Sequence, residues 1–104
     1  MEYRLIIAES FQQDLDSVLS YISVKLKNPI AAQNLLIKIE KTVNEINENP
    51  LLFPLFHIPL IAKKGYRCAL VDNYDVFYKV DEENKIVYIA RLLYGKMNFS
   101  AILN

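Results

Sequence analysis

Arg67, Arg91 and Lys96, with Tyr66, Tyr78 and Tyr94, punctuate largely apolar segments late in this chain. Guanidinium and ammonium groups pair with phosphate oxygens, and aromatic rings stack on bases. A surface that gathered these side chains could hold RNA and stabilise charge on a scissile phosphate. The competing use of Arg67 and Arg91 is structural, as salt-bridge partners of Asp75, Glu82 or another protein. Strand alternation decides which residues share a face. Arg67 alternates with Tyr66, Cys68 and Leu70, while Arg91 falls on the parity of Val87, Ile89 and Leu93. A two-residue turn at Asp72-Asn73 would set Arg67 opposite Tyr78, with Tyr74 and Val76 on the same face. One extra turn residue would reverse that grouping.

Other chemistry is thinly supplied. One cysteine and one histidine cannot form a usual zinc site, and two glycines thirty positions apart cannot form a phosphate loop. His57, between Phe56 and Ile58 in a proline-containing segment, has a reference pKa suited to acid or base work, but a loop histidine without a catalytic part is the simpler reading. Cys68 reads as a small apolar strand residue more than as a nucleophile. No metal and no cofactor are implied.

The elements that must position the cations follow from periodicity. Residues 3–8 (YRLIIA) read as a short strand. Between residues 9 and 26, Phe11, Leu15, Val18, Leu19, Ile22 and Leu26 recur in steps of three and four, which predicts an amphipathic helix with Gln12, Gln13, Asp16 and Lys25 outward. Ala8 and Glu9 are poor caps for its start. Asn28-Pro29 is a stronger signal, an N-cap followed by proline at the first helical position. It opens a second helix carrying Ala32, Leu35, Leu36, Ile39, Val43 and Ile46 on one side, which stops before Pro50. The short gap between the two helices implies an antiparallel hairpin. Residues 51–64, with Pro54 and Pro59, read as an ordered, partly packed loop. Strands are expected at 66–71, 74–80 and 85–94. The last of these, nearly unbroken in apolar residues, suits a central strand.

The order β-α-α-β-β-β makes residues 1–104 a single α+β domain. Its four-stranded, mostly antiparallel sheet is covered on one face by the N-terminal αα-hairpin. An apolar fraction of 53% supports a compact core. Twelve basic residues balance twelve acidic ones, which argues against a binder of polyanions by summed charge. No apolar run approaches the ~20 residues of a membrane helix. A lone cysteine and an N-terminus without signal-peptide shape point to the cytoplasm.

Taken in order, YRLIIAES, DLDSVLSYI, NPIAAQNLLIKIEKTVNEINENP and GYRCALVDNYDVFYKVDEENKIVYIARLLYGKMNF resemble the RelE/ParE superfamily of toxins from type II toxin–antitoxin systems, over nearly the whole chain. The resemblance implies a growth-inhibiting toxin of a plasmid-stabilisation or stress-response system, neutralised by a cognate antitoxin that wraps it. RelE-like members act as mRNA interferases, cutting mRNA in the ribosome with basic residues and often a tyrosine. ParE-like members share the fold and act on DNA gyrase. Carried over by position, Arg67 and Lys96 match basic catalytic positions of the nuclease pattern, and Arg91, Tyr94, Tyr78 and Asn98 are candidate target contacts. Four positions depart from the pattern. Ala69 stands at the second basic position, two residues after Arg67. Asp75 and Met97 stand where arginines are expected, and Leu103 stands near the place of a terminal tyrosine. Because a lost transition-state cation costs several kcal/mol, the departures lean toward the ParE-like reading or a rearranged nuclease. The alternative is a non-catalytic or decayed toxin that serves as an antitoxin-binding, autoregulatory module.

Overall fold

A computed structural model describes residues 2–95 and 99–103 of the chain, and the side chain of Ser100 is left aside. A strand β1 (Arg4–Ile7) runs into helix α1 (Glu9–Ser20), which continues as one π-helical turn (Tyr21–Lys25). Helix α2 (Pro29–Glu48) returns antiparallel to it. A short α3 (Pro59–Ala62) lies in the proline segment, and strands β2 (Arg67–Val71), β3 (Tyr74–Asp81) and β4 (Ile86–Tyr94) follow, with a final turn of helix, α4 (Phe99–Ile102).

The helix boundaries obey the local chemistry. Ala8 caps α1 with no side-chain bond, whereas Asn28 Oδ1 accepts from the Ala31 amide at 3.1 Å and Pro29 occupies the first turn of α2. In the π turn the Leu26 amide reaches back five residues to the Tyr21 carbonyl at 3.0 Å. That widening ends the 3.6-residue repeat. Leu26, expected on the buried stripe, lies past the helix and is exposed, as are Val24 and Ile30. Among the described residues no helix is long and apolar enough to cross a membrane.

The sheet order is β1-β4-β3-β2. The β2–β3 and β3–β4 pairs are antiparallel, and β1 joins β4 in parallel. The β2–β3 turn has two residues, so Val71 pairs with Tyr74 and Arg67 with Tyr78. Asp72 takes a φ of 54° there, a left-handed conformation that Asp tolerates in hairpin turns. Of the two groupings that the sequence left open, the one set by a two-residue turn is realised.

Both faces of the sheet are packed. The αα-hairpin covers one of them, and its core joins Phe11, Leu35, Ile39 and Ile46 to Ala69, Val76, Tyr78, Val87, Ile89 and Leu92. On the other face a smaller cluster joins Phe77 and Leu93 to Phe56 and Ile61 of the proline segment and to Phe99 and Leu103. Phe56, Phe77 and Phe99 meet edge-to-face in pairs 5.0–5.4 Å apart, the arrangement ring quadrupoles favour. The proline segment is thus a lid of apolar side chains over the second face.

One irregularity changes how β4 is read. Tyr78 pairs with Ile89 but Phe77 pairs with Arg91, so Ala90 is an extra residue, a β-bulge. A bulge reverses the alternation of side chains. Val87 and Ile89 face the helices before it, Leu92 faces them after it, and Leu93 joins the opposite cluster. The parity that grouped Arg91 with Val87 and Ile89 is corrected accordingly, while its grouping with Leu93 stands.

Candidate functional site

The structure separates Arg67 from Arg91, which the sequence offered as parts of one site. Arg91 lies where β1 has ended at the level of Ile89 and β4 runs on with a free edge. Helix α1 closes that edge with side chains one turn apart. Ser10 Oγ donates to the Ala90 carbonyl at 2.8 Å, and Asp14 Oδ2 accepts the Leu92 amide at 3.0 Å. The same Asp14 carboxylate takes Arg91 in a two-pronged bond, Nε to Oδ2 at 2.7 Å and Nη2 to Oδ1 at 2.9 Å. These bonds hold the guanidinium further toward its charged form. Its partner is Asp14, not the Asp75 or Glu82 considered from sequence. Sequence spacing gave no hint of this pair, because the two residues are 77 positions apart.

Arg67 and Tyr78, paired across β2 and β3, turn to the segment that follows α2. Arg67 Nη1 donates to the Phe53 carbonyl at 2.7 Å, and the Tyr78 hydroxyl donates to the Pro50 carbonyl at 2.8 Å. Tyr78 is wholly buried. Burial pushes its phenol up to about 12, with the Arg67 charge opposing. Its assignment as a target contact is corrected, because no part of the ring or hydroxyl reaches the surface. Together the two side chains fasten the start of the proline segment to the sheet.

Among the described predicted contacts, Tyr94 is the most open. It is 39% exposed and sits edge-on to Tyr74, with ring centres 5.7 Å apart. Burial, then the neighbouring Tyr94 and Tyr21, holds the Tyr74 phenol above its ordinary value. Lys96 and Asn98, and with them Met97, lie outside the described residues. The other described lysines near the sheet are engaged. Lys79 lies 4.4 Å over the Tyr66 ring, Lys85 lies 5.1 Å over Tyr3, Lys64 donates to the Leu103 carbonyl and Lys38 pairs with Asp72.

The concave feature on the second face is a groove of about 500 Å³ running between the proline segment and the β2–β3 hairpin. Leu55, Phe56, His57, Leu70 and Phe99 wall it, and Cys68 and Asp75, diagonal neighbours across the hairpin, line it as well. His57 is exposed and stacks on Phe56 with ring centres 4.3 Å apart. The Cys68 thiol donates to Asp75 Oδ1 at 3.1 Å. Burial first, then the adjacent carboxylate, pushes that thiol up beyond any reactive range, so it acts as a proton donor and not as a nucleophile. Leu103, near the position of a nuclease tyrosine, is buried in the adjoining cluster. The groove can therefore hold an apolar or cationic group, and a phosphate would meet a carboxylate there. Among the described residues no three of His, Cys, Asp and Glu come together as metal ligands.

Comparison with known proteins agrees with this architecture. A family described as the ParE toxin of the type II toxin–antitoxin system parDE matches residues 5–99. No curated protein matches the chain. Among solved structures, the chain is similar to one from the chromosomal ParDE toxin–antitoxin system of P. aeruginosa, at 18% identity and TM-score 0.70, covering 89% of this chain and 96% of that one. It is also similar to one from the RelBE2 toxin–antitoxin complex of Mycobacterium tuberculosis, at 18% identity and TM-score 0.60, covering 90% and 99%. At that identity the two structures show the shared fold.

Proposed function

Because the chain belongs to the ParE toxin family of type II toxin–antitoxin systems, we propose that it arrests growth by binding DNA gyrase, not by cutting mRNA, and that a cognate antitoxin in the cytoplasm neutralises it. One observation carries this reading: among the described residues, the groove on the second face is lined by Asp75 and by mostly apolar side chains, so a phosphate there would meet a carboxylate. Phosphoryl chemistry at a ribose 2′-hydroxyl needs donors aimed at developing negative charge. Arg67 and Arg91 are instead spent on Phe53 and Asp14. Binding a protein target requires no such cluster. It needs shape, apolar area and a few exposed anchors, for which Tyr94 is available.

The test runs two assays on the purified toxin. Supercoiling by gyrase is followed on relaxed plasmid, and mRNA ends are mapped after incubation with translating ribosomes. Inhibited supercoiling without new mRNA ends is expected. Codon-phased cuts that disappear in Arg67→Ala would overturn the proposal in favour of a nuclease. Unimpaired growth on induction, with antitoxin binding retained, would instead select the non-toxic binding module.

A further inference from the structure

Asp75 is an acid without a base. It is 8% exposed, its Oδ1 receives only the weak Cys68 thiol, and no described Lys, Arg or His pairs with it. Carboxylates this buried are ordinarily matched by a cation or by strong donors. Its Oδ2 lies toward Gly95, where a Cβ would stand 3.6 Å away, so a glycine at that position keeps this flank of the carboxylate free of side chain. Leu55 and Leu70 line the same groove, 47% and 69% exposed. A carboxylate between leucine and phenylalanine walls matches a side chain with an aliphatic stem and a cationic head.

The backbone beside the groove has a matching opening. The outer edge of β2 is paired only at its start, where the Cys68 amide donates to Pro54 and the Phe56 amide donates to Tyr66. Two residues on from Cys68, by strand periodicity, Leu70 turns its own amide and carbonyl to the same side, and no described backbone group pairs with them there. An extended chain can add to that edge and drop one side chain into the groove. Such a chain must lack structure of its own until it binds.

We propose that this groove seats an arginine or lysine of the antitoxin, carried on an extended segment with apolar neighbours, whose cation pairs with Asp75. The proposal rests on the reading that the chain is a toxin neutralised by an antitoxin, and its test separates the two. Full-length ¹⁵N-labelled toxin is titrated with the tripeptide acetyl-Leu-Arg-Leu-amide and with its uncharged citrulline analogue. Amide shifts are expected at Cys68, Leu70, Asp75 and Gly95, with binding at least ~10-fold weaker for the citrulline peptide and for Asp75→Asn. A second variant, Leu70→Lys, changes an exposed position and supplies the cation from within, so it should abolish peptide binding in a folded protein. Shifts elsewhere, or equal binding of the two peptides, overturn the proposal. The antitoxin encoded beside the toxin gene is then measured against wild type and Asp75→Asn, with a loss of at least ~10-fold expected. Unchanged antitoxin affinity overturns the proposal, as does a loss of growth arrest without a loss of antitoxin binding, which would assign the groove to the target. If wild type never slows growth, the proposed function falls while the peptide titration still decides the groove.

Discussion

Replacing Asp14 with alanine should be among the most damaging single changes a partly exposed polar residue of this protein can suffer. Asp14 serves three donors at once: two guanidinium N–H groups of Arg91 and the backbone amide of Leu92. The Leu92 amide belongs to a residue only 2% exposed, and leaving a buried donor unsatisfied costs about 1–3 kcal/mol. The ion pair joins side chains 17% and 29% exposed, so solvent screening holds its share to roughly 1 kcal/mol. The sum is about 3 kcal/mol, which in a domain of this size lowers the thermal midpoint by more than ~10 °C. Arg91→Ala should cost only about 1 kcal/mol, because Asp14 keeps the Leu92 amide. Asp14→Asn retains an acceptor for that amide and should resemble Arg91→Ala. Urea denaturation of the three variants, with hydrogen exchange at the Leu92 amide, gives the order directly. If Arg91→Ala proves as destabilising as Asp14→Ala, the edge-capping role assigned to Asp14 is refuted, and the pair is worth only its charges.

Two other perturbations read out the buried phenol and thiol. The Tyr78 phenol ionises near 10.0 when unfolded and at about 12 in the fold, so its stabilisation is complete below pH 10 and is lost as pH rises toward 12. At ~1.4 kcal/mol per pKa unit the loss approaches 3 kcal/mol. The advantage of wild type over Tyr78→Phe in denaturant titrations should therefore shrink between pH 10 and 12; a constant gap would contradict the buried Pro50 bond. Cys68, its thiol held protonated by burial and by Asp75, should react with iodoacetamide at pH 8 on the order of 100-fold more slowly than in the unfolded chain. Asp75→Asn should recover part of that rate by mass spectrometry, and native alkylation as fast as unfolded would refute the assignment.

Much of the framework was legible in the residues. Asn28-Pro29 marked the start of α2 through its cap. Asp72-Asn73 marked a turn, but its length, and with it the pairing of Arg67 with Tyr78, was fixed only by the fold. The second face was harder to read, because Phe56 and Ile61 come from one piece of chain and Phe99 and Leu103 from another, with no shared period. The bulge at Ala90 was invisible to alternation, since it lies within a continuous run of apolar residues that fits either parity. The cations misled for a related reason. Arg67 and Arg91 stand at strand positions that look free until Phe53 and Asp14 arrive from distant segments. The buried acid at Asp75 registered in the sequence as a departure from a nuclease pattern; its place in a leucine-walled groove needed the fold.

The parallel pairing of β1 with β4 also has a consequence in time. Arg4 finds its partner at Ile86, so the first strand waits for one made 82 positions later. At the usual ~5–20 residues per second of synthesis, that interval lasts roughly 4–16 s. The α1–α2 hairpin, whose contacts are local, can form early in it, whereas a pairing across so long a loop bears a closure cost that delays it. A growing chain therefore displays its helices for seconds before its sheet exists.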